Sequence, residues 1–217
     1  MELSFWQQRW QENKIGFHLD GVNPLLIKYM EKLQLGPGEQ IFVPLCGKSL
    51  DLIWLAEQGY RVLGIELSQV AVDAFFAENN LVSFKVKRGE LTFYQSGLIT
   101  LVCGDFYQLT ASQMVNVAAV YDRASFVALP DKMRSEYAEH LNAICAKQPR
   151  LIVTLEYKQL QMSGPPFAVG ESELKTVYGP DFNIECLEQT DVLPEHGHFA
   201  AKGLNALDES VYILHHQ

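Results

Sequence analysis

What the chain lacks narrows its class first. No apolar run comes near the roughly 18 uninterrupted residues of a membrane-spanning helix, so a membrane protein of that kind is excluded. Basic residues are in deficit: 17 Lys and Arg stand against 26 Asp and Glu, a net charge of −9. No basic stripe offers the clustered cations that phosphate neutralisation requires, so nucleic acid is not an expected partner. Cysteine is sparse. Cys46, Cys103, Cys145 and Cys186 form no Cys-x-x-Cys pair and no zinc-like spacing, which predicts reduced, mostly buried thiols and no metal centre. Repeats, low-complexity segments and Gly/Ser or Pro-rich linkers are all missing. Met1-Glu2-Leu3-Ser4 has no basic region followed by an apolar run, so it does not read as a signal peptide, and the expectation is a cytoplasmic protein.

What is present is the balance of a globular protein, 48% hydrophobic and 20% charged over 217 residues, enough for one sizeable core. Ser4 and Gln7 have the spacing of a capping box, and Trp6 and Trp10 then share one helical face. A second helix is expected over residues 24–33, begun by Pro24 and stopped by Gly36-Pro37-Gly38. Strands and helices alternate beyond it. Ile41-Phe42-Val43 and Arg61 to Ile65 read as strands, each followed by a helical apolar stripe. Leu91 to Tyr94 and Ile99 to Cys103 flank Ser96-Gly97 as a hairpin, Val117 to Tyr121 and Leu151 to Leu155 are further strands, and a helix bearing Tyr137, Leu141 and Ile144 lies between them. The remainder reads as strands, including Asn183 to Leu187 and Ser210 to Leu214, with a final antiparallel element. The expected fold is α/β, a single Rossmann-like domain over residues 1–217. It would have a mostly parallel, seven-stranded-type sheet, helices on both faces and an N-terminal helical cover over residues 1–35.

Ligands of such folds bind beyond the carboxyl ends of the strands. The first strand is followed by Pro44-Leu45-Cys46-Gly47-Lys48-Ser49. Gly47-Lys48-Ser49 matches the end of a phosphate-binding loop, but the Gly required five positions before Gly47 is Phe42. A nicotinamide dinucleotide calls for Gly-x-Gly-x-x-Gly, and this turn offers Gly47 alone. A cofactor without phosphates relaxes that demand. Glu66 ends the second strand about 20 residues after the turn, where a carboxylate meets both hydroxyls of a ribose; an acid beside the next helix start is the plainer alternative. Gly104-Asp105-Phe106 at a third strand end could meet an adenine by its acid and its ring, and is also ordinary turn chemistry. Arg123, after Tyr121-Asp122, could bind a carboxylate or orient an anionic substrate, or lie solvated beside Asp122. Gly164-Pro165-Pro166-Phe167 could wall a pocket. His196-Gly197-His198 lacks a third ligand nearby and reads as surface.

Taken in order along nearly the whole chain, these segments resemble the thiopurine S-methyltransferase family, in its bacterial branch. The resemblance is carried by Phe5-Trp6-Gln7-Gln8-Arg9-Trp10, Phe17-His18, Phe42 to Ser49, Gly64-Ile65-Glu66-Leu67-Ser68, Asp122-Arg123-Ala124 and Gly164 to Phe167. It implies a class I methyltransferase fold and transfer of a methyl group from S-adenosylmethionine to a small thiol or related soft nucleophile. It assigns Trp10, Leu45, Glu66 and Arg123 to the cofactor, Trp6 and Phe17 to the cover, and Phe17 to the side of an aromatic substrate. Selenium and tellurium compounds are further acceptors that it implies. A thiol of pKa about 8.5 is partly ionised at neutral pH, so direct in-line displacement needs no dedicated base and no catalytic residue is named. A monomer is the default state. An NAD-dependent oxidoreductase on a Rossmann-like fold and a non-catalytic adenosine-binding protein are the competing readings.

Overall fold

The computed structural model describes residues 3–217, of Leu3 the backbone alone. Met1 and Glu2, part of the signal-peptide reading, lie outside the described residues. Contacts divide the chain into two compact units, one ending at Tyr121 and one running from Asp122 to Gln217. No helix among the described residues is long and apolar enough to cross a membrane.

The first unit opens with α1 (Leu3–Gln11) and α2 (Pro24–Tyr29), the latter extended by a 3-10 turn over Met30–Leu33. Ser4 lies inside α1, so the Ser4/Gln7 spacing is not the helix start. The start of α2 follows Asn23, whose Oδ1 accepts the N–H groups of Leu25 and Leu26 at 2.8 and 3.3 Å. The turn after Leu33 ends at Gln34 in a left-handed conformation, ahead of Gly36. There follow β1 (Gln40–Val43), α3 (Asp51–Glu57), β2 (Arg61–Glu66), α4 (Gln69–Glu78), β3 (Phe84–Arg88), β4 (Leu91–Ser96), β5 (Ile99–Cys103) and β6 (Val117–Arg123).

These strands lie in the order β3-β4-β5-β2-β1-β6. The pairs β5·β2, β2·β1 and β1·β6 are parallel, while β3·β4 and β4·β5 are antiparallel. Between their polar ends β1 and β2 are apolar because both faces are covered: Ile41 and Phe42 of β1 and Val62 and Ile65 of β2 are fully buried. The β4–β5 hairpin turns at Gly97, as its sequence predicts. β3 was not anticipated. Every residue of Phe-Lys-Val-Lys-Arg is exposed, so the strand carries no burial pattern to read, and it places three cations on one short edge.

The second unit holds α5 (Asp131–Ile144), β7 (Arg150–Glu156), α6 (Glu171–Tyr178), β8 (Phe182–Asp191), α7 (Gly197–Ala200) and β9 (Asp208–His216). β9 lies between β7 and β8, antiparallel to both. α6 and α7 occupy a stretch expected to be strands. Arg150 is fully buried. Its guanidinium lies 4.8 Å from the Tyr178 ring centroid and 4.4 Å from that of Phe182, and it donates to the Cys145 carbonyl at 2.7 Å. Nine strands are thus present among the described residues, in place of the seven-stranded type expected. The sheet is mixed, with a parallel centre.

Candidate active site

Parallel order brings the ends of β1, β2, β5 and β6 to one edge of the sheet, and the chemistry-bearing residues follow those ends. The Cys46 N–H donates to the Ile65 carbonyl at 2.9 Å and so prolongs the β1·β2 pairing into the turn. The turn itself needs unusual backbone. Leu45 has φ +44° and Gly47 φ +56°, a region that side chains rarely occupy. At Gly47 there is a second demand for glycine: a Cβ there would lie 2.9 Å from Cζ2 of Trp10. Lys48 turns away, its Nζ bonded to both carboxylate oxygens of Glu78 at 2.6 and 2.8 Å. The lysine of the apparent phosphate motif is therefore committed to an acid.

Glu66 is 6% exposed. Oε2 accepts the Gly47 N–H at 3.0 Å and Oε1 the Ser68 N–H at 2.7 Å. Burial raises its carboxyl to about 7 against these backbone donors, which act to lower it. The Leu67 N–H also acts on this carboxylate, and a carboxylate with about four lone-pair sites keeps acceptor capacity beyond these three backbone donors. A buried acid with spare lone pairs and its charge only partly satisfied fits a vicinal diol, which would bring two more donors.

At the third strand end, the Gly104 N–H donates to the Glu66 carbonyl at 3.0 Å. Asp105 Oδ1 accepts the Tyr107 N–H at 3.0 Å and opens a 3-10 turn. Phe106, the aromatic proposed to stack on adenine, is 3% exposed and lies nearly parallel to Phe42 within the core. The Cys103 thiol is pushed up to about 11 by burial, with Glu66 and Asp73 adding to it.

The N-terminal aromatics come together as the helical spacing predicts. The Phe17 ring meets Trp6 edge-on at 5.6 Å and Trp10 at 5.4 Å between centroids. Trp10 is 7% exposed, wedged between Phe17 and the Gly47 turn. Trp10, Phe17, Gly47 and Glu66 therefore form one connected array in the first unit.

In the second unit, Asp122 is fully buried rather than solvated. Its Oδ2 accepts the Tyr137 hydroxyl at 2.7 Å and Oδ1 the Phe126 N–H at 3.3 Å; burial raises its pKa while these bonds lower it. Arg123 is half-buried at the end of β6. Glu209 has its carboxyl raised by burial, with Arg123 and His196 opposing the shift. The Gly164 to Phe167 turn is braced by the Tyr157 hydroxyl on the Pro166 carbonyl at 2.6 Å and by the Phe167 N–H on the Val127 carbonyl. Arg134 pairs with Glu173 and lies 5.9 Å from the Phe167 ring centroid. His196 is half-buried and His198 exposed, their rings 5.8 Å apart. Among the described residues, no group of three His, Cys, Asp or Glu could hold a metal ion.

Asp51, Asn23 and Tyr121 were not singled out from sequence. Asp51 is 2% exposed and accepts the Asn23 N–H at 2.8 Å and the Tyr121 hydroxyl at 3.1 Å. Asn before Pro24 was a readable helix start. Nothing in the sequence pairs positions 51 and 121.

Residues 1–217 match a family model described as thiopurine S-methyltransferase. The chain is 47% identical over 215 residues to the thiopurine S-methyltransferase of Pseudomonas fluorescens, covering 99% of each chain. It is 43% identical over 218 residues to that of Bordetella petrii, with full coverage of both. A SAM-dependent methyltransferase from Anabaena variabilis has the same fold at TM-score 0.64 and 15% identity, over 99% of this chain and 95% of that one. A second neighbour is the 1,6-didemethyltoxoflavin-N1-methyltransferase of Burkholderia thailandensis, solved with S-adenosylhomocysteine. It superposes at TM-score 0.65 and 13% identity, over 99% of this chain and 87% of that one. These relationships overturn the NAD-dependent oxidoreductase alternative.

Proposed function

Given that the chain belongs to the thiopurine S-methyltransferase family, we propose that Trp10, Leu45, Glu66 and Arg123 hold S-adenosylmethionine and that Phe17 lies beside the acceptor. The enzyme is an S-adenosylmethionine-dependent S-methyltransferase acting on small-molecule acceptors. The observation that carries the site assignment is the Glu66 carboxylate, buried between the N–H groups of Gly47 and Ser68 with acceptor capacity to spare.

When bound, S-adenosylmethionine supplies a methyl group on a positively charged sulfur. Glu66 would receive the ribose hydroxyls, and the bare backbone of Gly47 admits a close neighbour. Leu45 would present its side chain from a left-handed turn. Trp6, Trp10 and Phe17 exclude water from the side on which they pack. Arg123, at the end of β6, is assigned to the cofactor, with an anionic acceptor as its lesser role. No base is assigned in this reading, and Asp122 is fully buried with the Tyr137 hydroxyl and the Phe126 N–H bonded to it. The acceptor is proposed to be an aromatic thiol, methylated by direct in-line displacement, and selenium and tellurium compounds are proposed as wider acceptors. One catalytic domain over residues 1–217, a monomer in the cytoplasm, completes the reading.

Calorimetric titration with S-adenosylhomocysteine tests it, followed by a methylation assay on a thiopurine. Micromolar binding that Glu66→Ala weakens is the expected result. Equal affinity in the two proteins removes Glu66 from the site.

A further inference from the structure

We propose that Asp51 is a positioning residue for methyl transfer, acting as a buried clamp that fixes the N-terminal cover against the turn after β1. The proposal rests on the functional reading above, since it assumes that the cover and the turn enclose one reaction.

Asp51 is the first residue of α3, directly beyond residues 44–50. Its N–H donates to Ser49 Oγ at 3.2 Å, so it is anchored to the exit of that turn. Its two carboxylate oxygens divide their partners: Oδ1 takes the Asn23 N–H at 2.8 Å, and Oδ2 the Tyr121 hydroxyl at 3.1 Å. Asn23 is 2% exposed and is held from both ends. Its backbone N–H goes to Asp51, and its Oδ1 caps α2. Tyr121 is 1% exposed and ends the first unit, two residues before Arg123. One carboxylate thus ties together the root of the cover, the exit of the turn and Tyr121 of β6.

Packing alone does not call for an acid here. A buried carboxylate loses hydration, and a side chain of similar size without charge would fill the same space. An apolar side chain would, however, leave the Asn23 N–H without its acceptor. The residues on either side of the clamp are those whose spacing matters: Trp6, Trp10 and Phe17 precede Asn23, and Leu45 and Gly47 precede Asp51. Where no base is dedicated to the reaction, alignment supplies most of the rate, and a displacement of about 1 Å can cost on the order of 100-fold. The turn retains its own anchor in Glu66, so cofactor affinity should fall less than turnover on loss of the clamp, by the share that Trp10 contributes.

The test compares Asp51→Ala, Asp51→Asn and Tyr121→Phe for S-adenosylhomocysteine affinity, for kcat and KM with a thiopurine, and for Tm. Asp51→Ala is expected to lower kcat/KM by roughly 10- to 100-fold through both kcat and acceptor KM, with a loss of cofactor affinity several-fold smaller than the loss of kcat/KM. Asp51→Asn keeps an acceptor for Asn23 and a polar group facing Tyr121, and should recover most of the loss. Tyr121→Phe removes one bond with little change of volume and should show a smaller loss of the same kind, which keeps the test open if Asp51→Ala does not fold. A lowered Tm with unchanged kcat and acceptor KM in Asp51→Ala or Tyr121→Phe would overturn the clamp, as would an Asp51→Asn enzyme no better than Asp51→Ala. Wild-type protein that binds no S-adenosylhomocysteine would instead defeat the functional reading itself.

Discussion

The Trp10 ring occupies the space that a side chain at position 47 would need, leaving 2.9 Å between its Cζ2 and any Cβ placed on Gly47. The same glycine has φ +56° and gives its N–H to Glu66. Cover, turn and Glu66 are thereby coupled through one residue.

Gly47→Ala should therefore fail twice, by backbone strain of about 1–2 kcal/mol and by displacing Trp10. The expected outcome is a loss of S-adenosylhomocysteine affinity of about tenfold or more, together with a lower Tm. With Trp6 and Trp54 replaced by Phe, tryptophan fluorescence follows Trp10 alone, and an unshifted spectrum with intact affinity would contradict the coupling.

Cofactor affinity should depend on pH through Glu66. Its carboxyl stands at about 7 in the folded protein without ligand, and a ribose diol favours the charged form. Binding then releases a proton below about pH 7, and affinity weakens as pH falls from 8 to 6. Stability without ligand runs the other way. The folded value lies above the ordinary 4.5, so the folded state binds more protons between the two values, and this group's contribution to stability declines as pH rises from about 4.5 through 7. Titrations at pH 6 and 8 in two buffers of different ionisation enthalpy read the proton count directly. Glu66→Gln should abolish the pH dependence.

Lys48→Ala is a control on the apparent phosphate motif. The ammonium is bonded to Glu78, so its removal should change S-adenosylhomocysteine affinity less than about twofold. A loss of tenfold or more would mean that Lys48 serves the ligand after all.

Tyr137→Phe removes the hydroxyl from the fully buried Asp122. Removing one donor from a buried carboxylate that keeps Ser125 and the Phe126 N–H should destabilise the fold by about 1–3 kcal/mol, measurable as a lower urea midpoint at unchanged m.

Much of the architecture was legible because it is written in burial. Ile41-Phe42-Val43 and Val62 to Ile65 are apolar without alternation, as strands covered on both faces must be. The position of Glu66 followed from the fixed length of one strand–helix–strand unit. β3 was invisible for the converse reason: all five of its residues are exposed, and pairing with β4 alone holds it. Phe106 shows a different limit, since composition cannot tell a ring that faces a ligand from one that faces Phe42. Arg150 would pass for a surface cation until Tyr178 and Phe182 are seen on it. Asp51 and Tyr121 meet across 70 positions, a relation that no local pattern encodes.

The four cysteines differ in depth: Cys46 and Cys145 are buried, Cys103 is intermediate and Cys186 is exposed on β8. Gly64 makes room for the first of them, since a Cβ there would stand 2.8 Å from Cys46 Sγ. For anyone wishing to attach a dye, a spin probe or a surface tether, the molecule already carries a single preferred handle. Conjugation at Cys186 leaves Cys46, beside Gly47 and Trp10, out of the reagent's reach, and replacing the half-buried Cys103 alone would confine the label to the β8 edge.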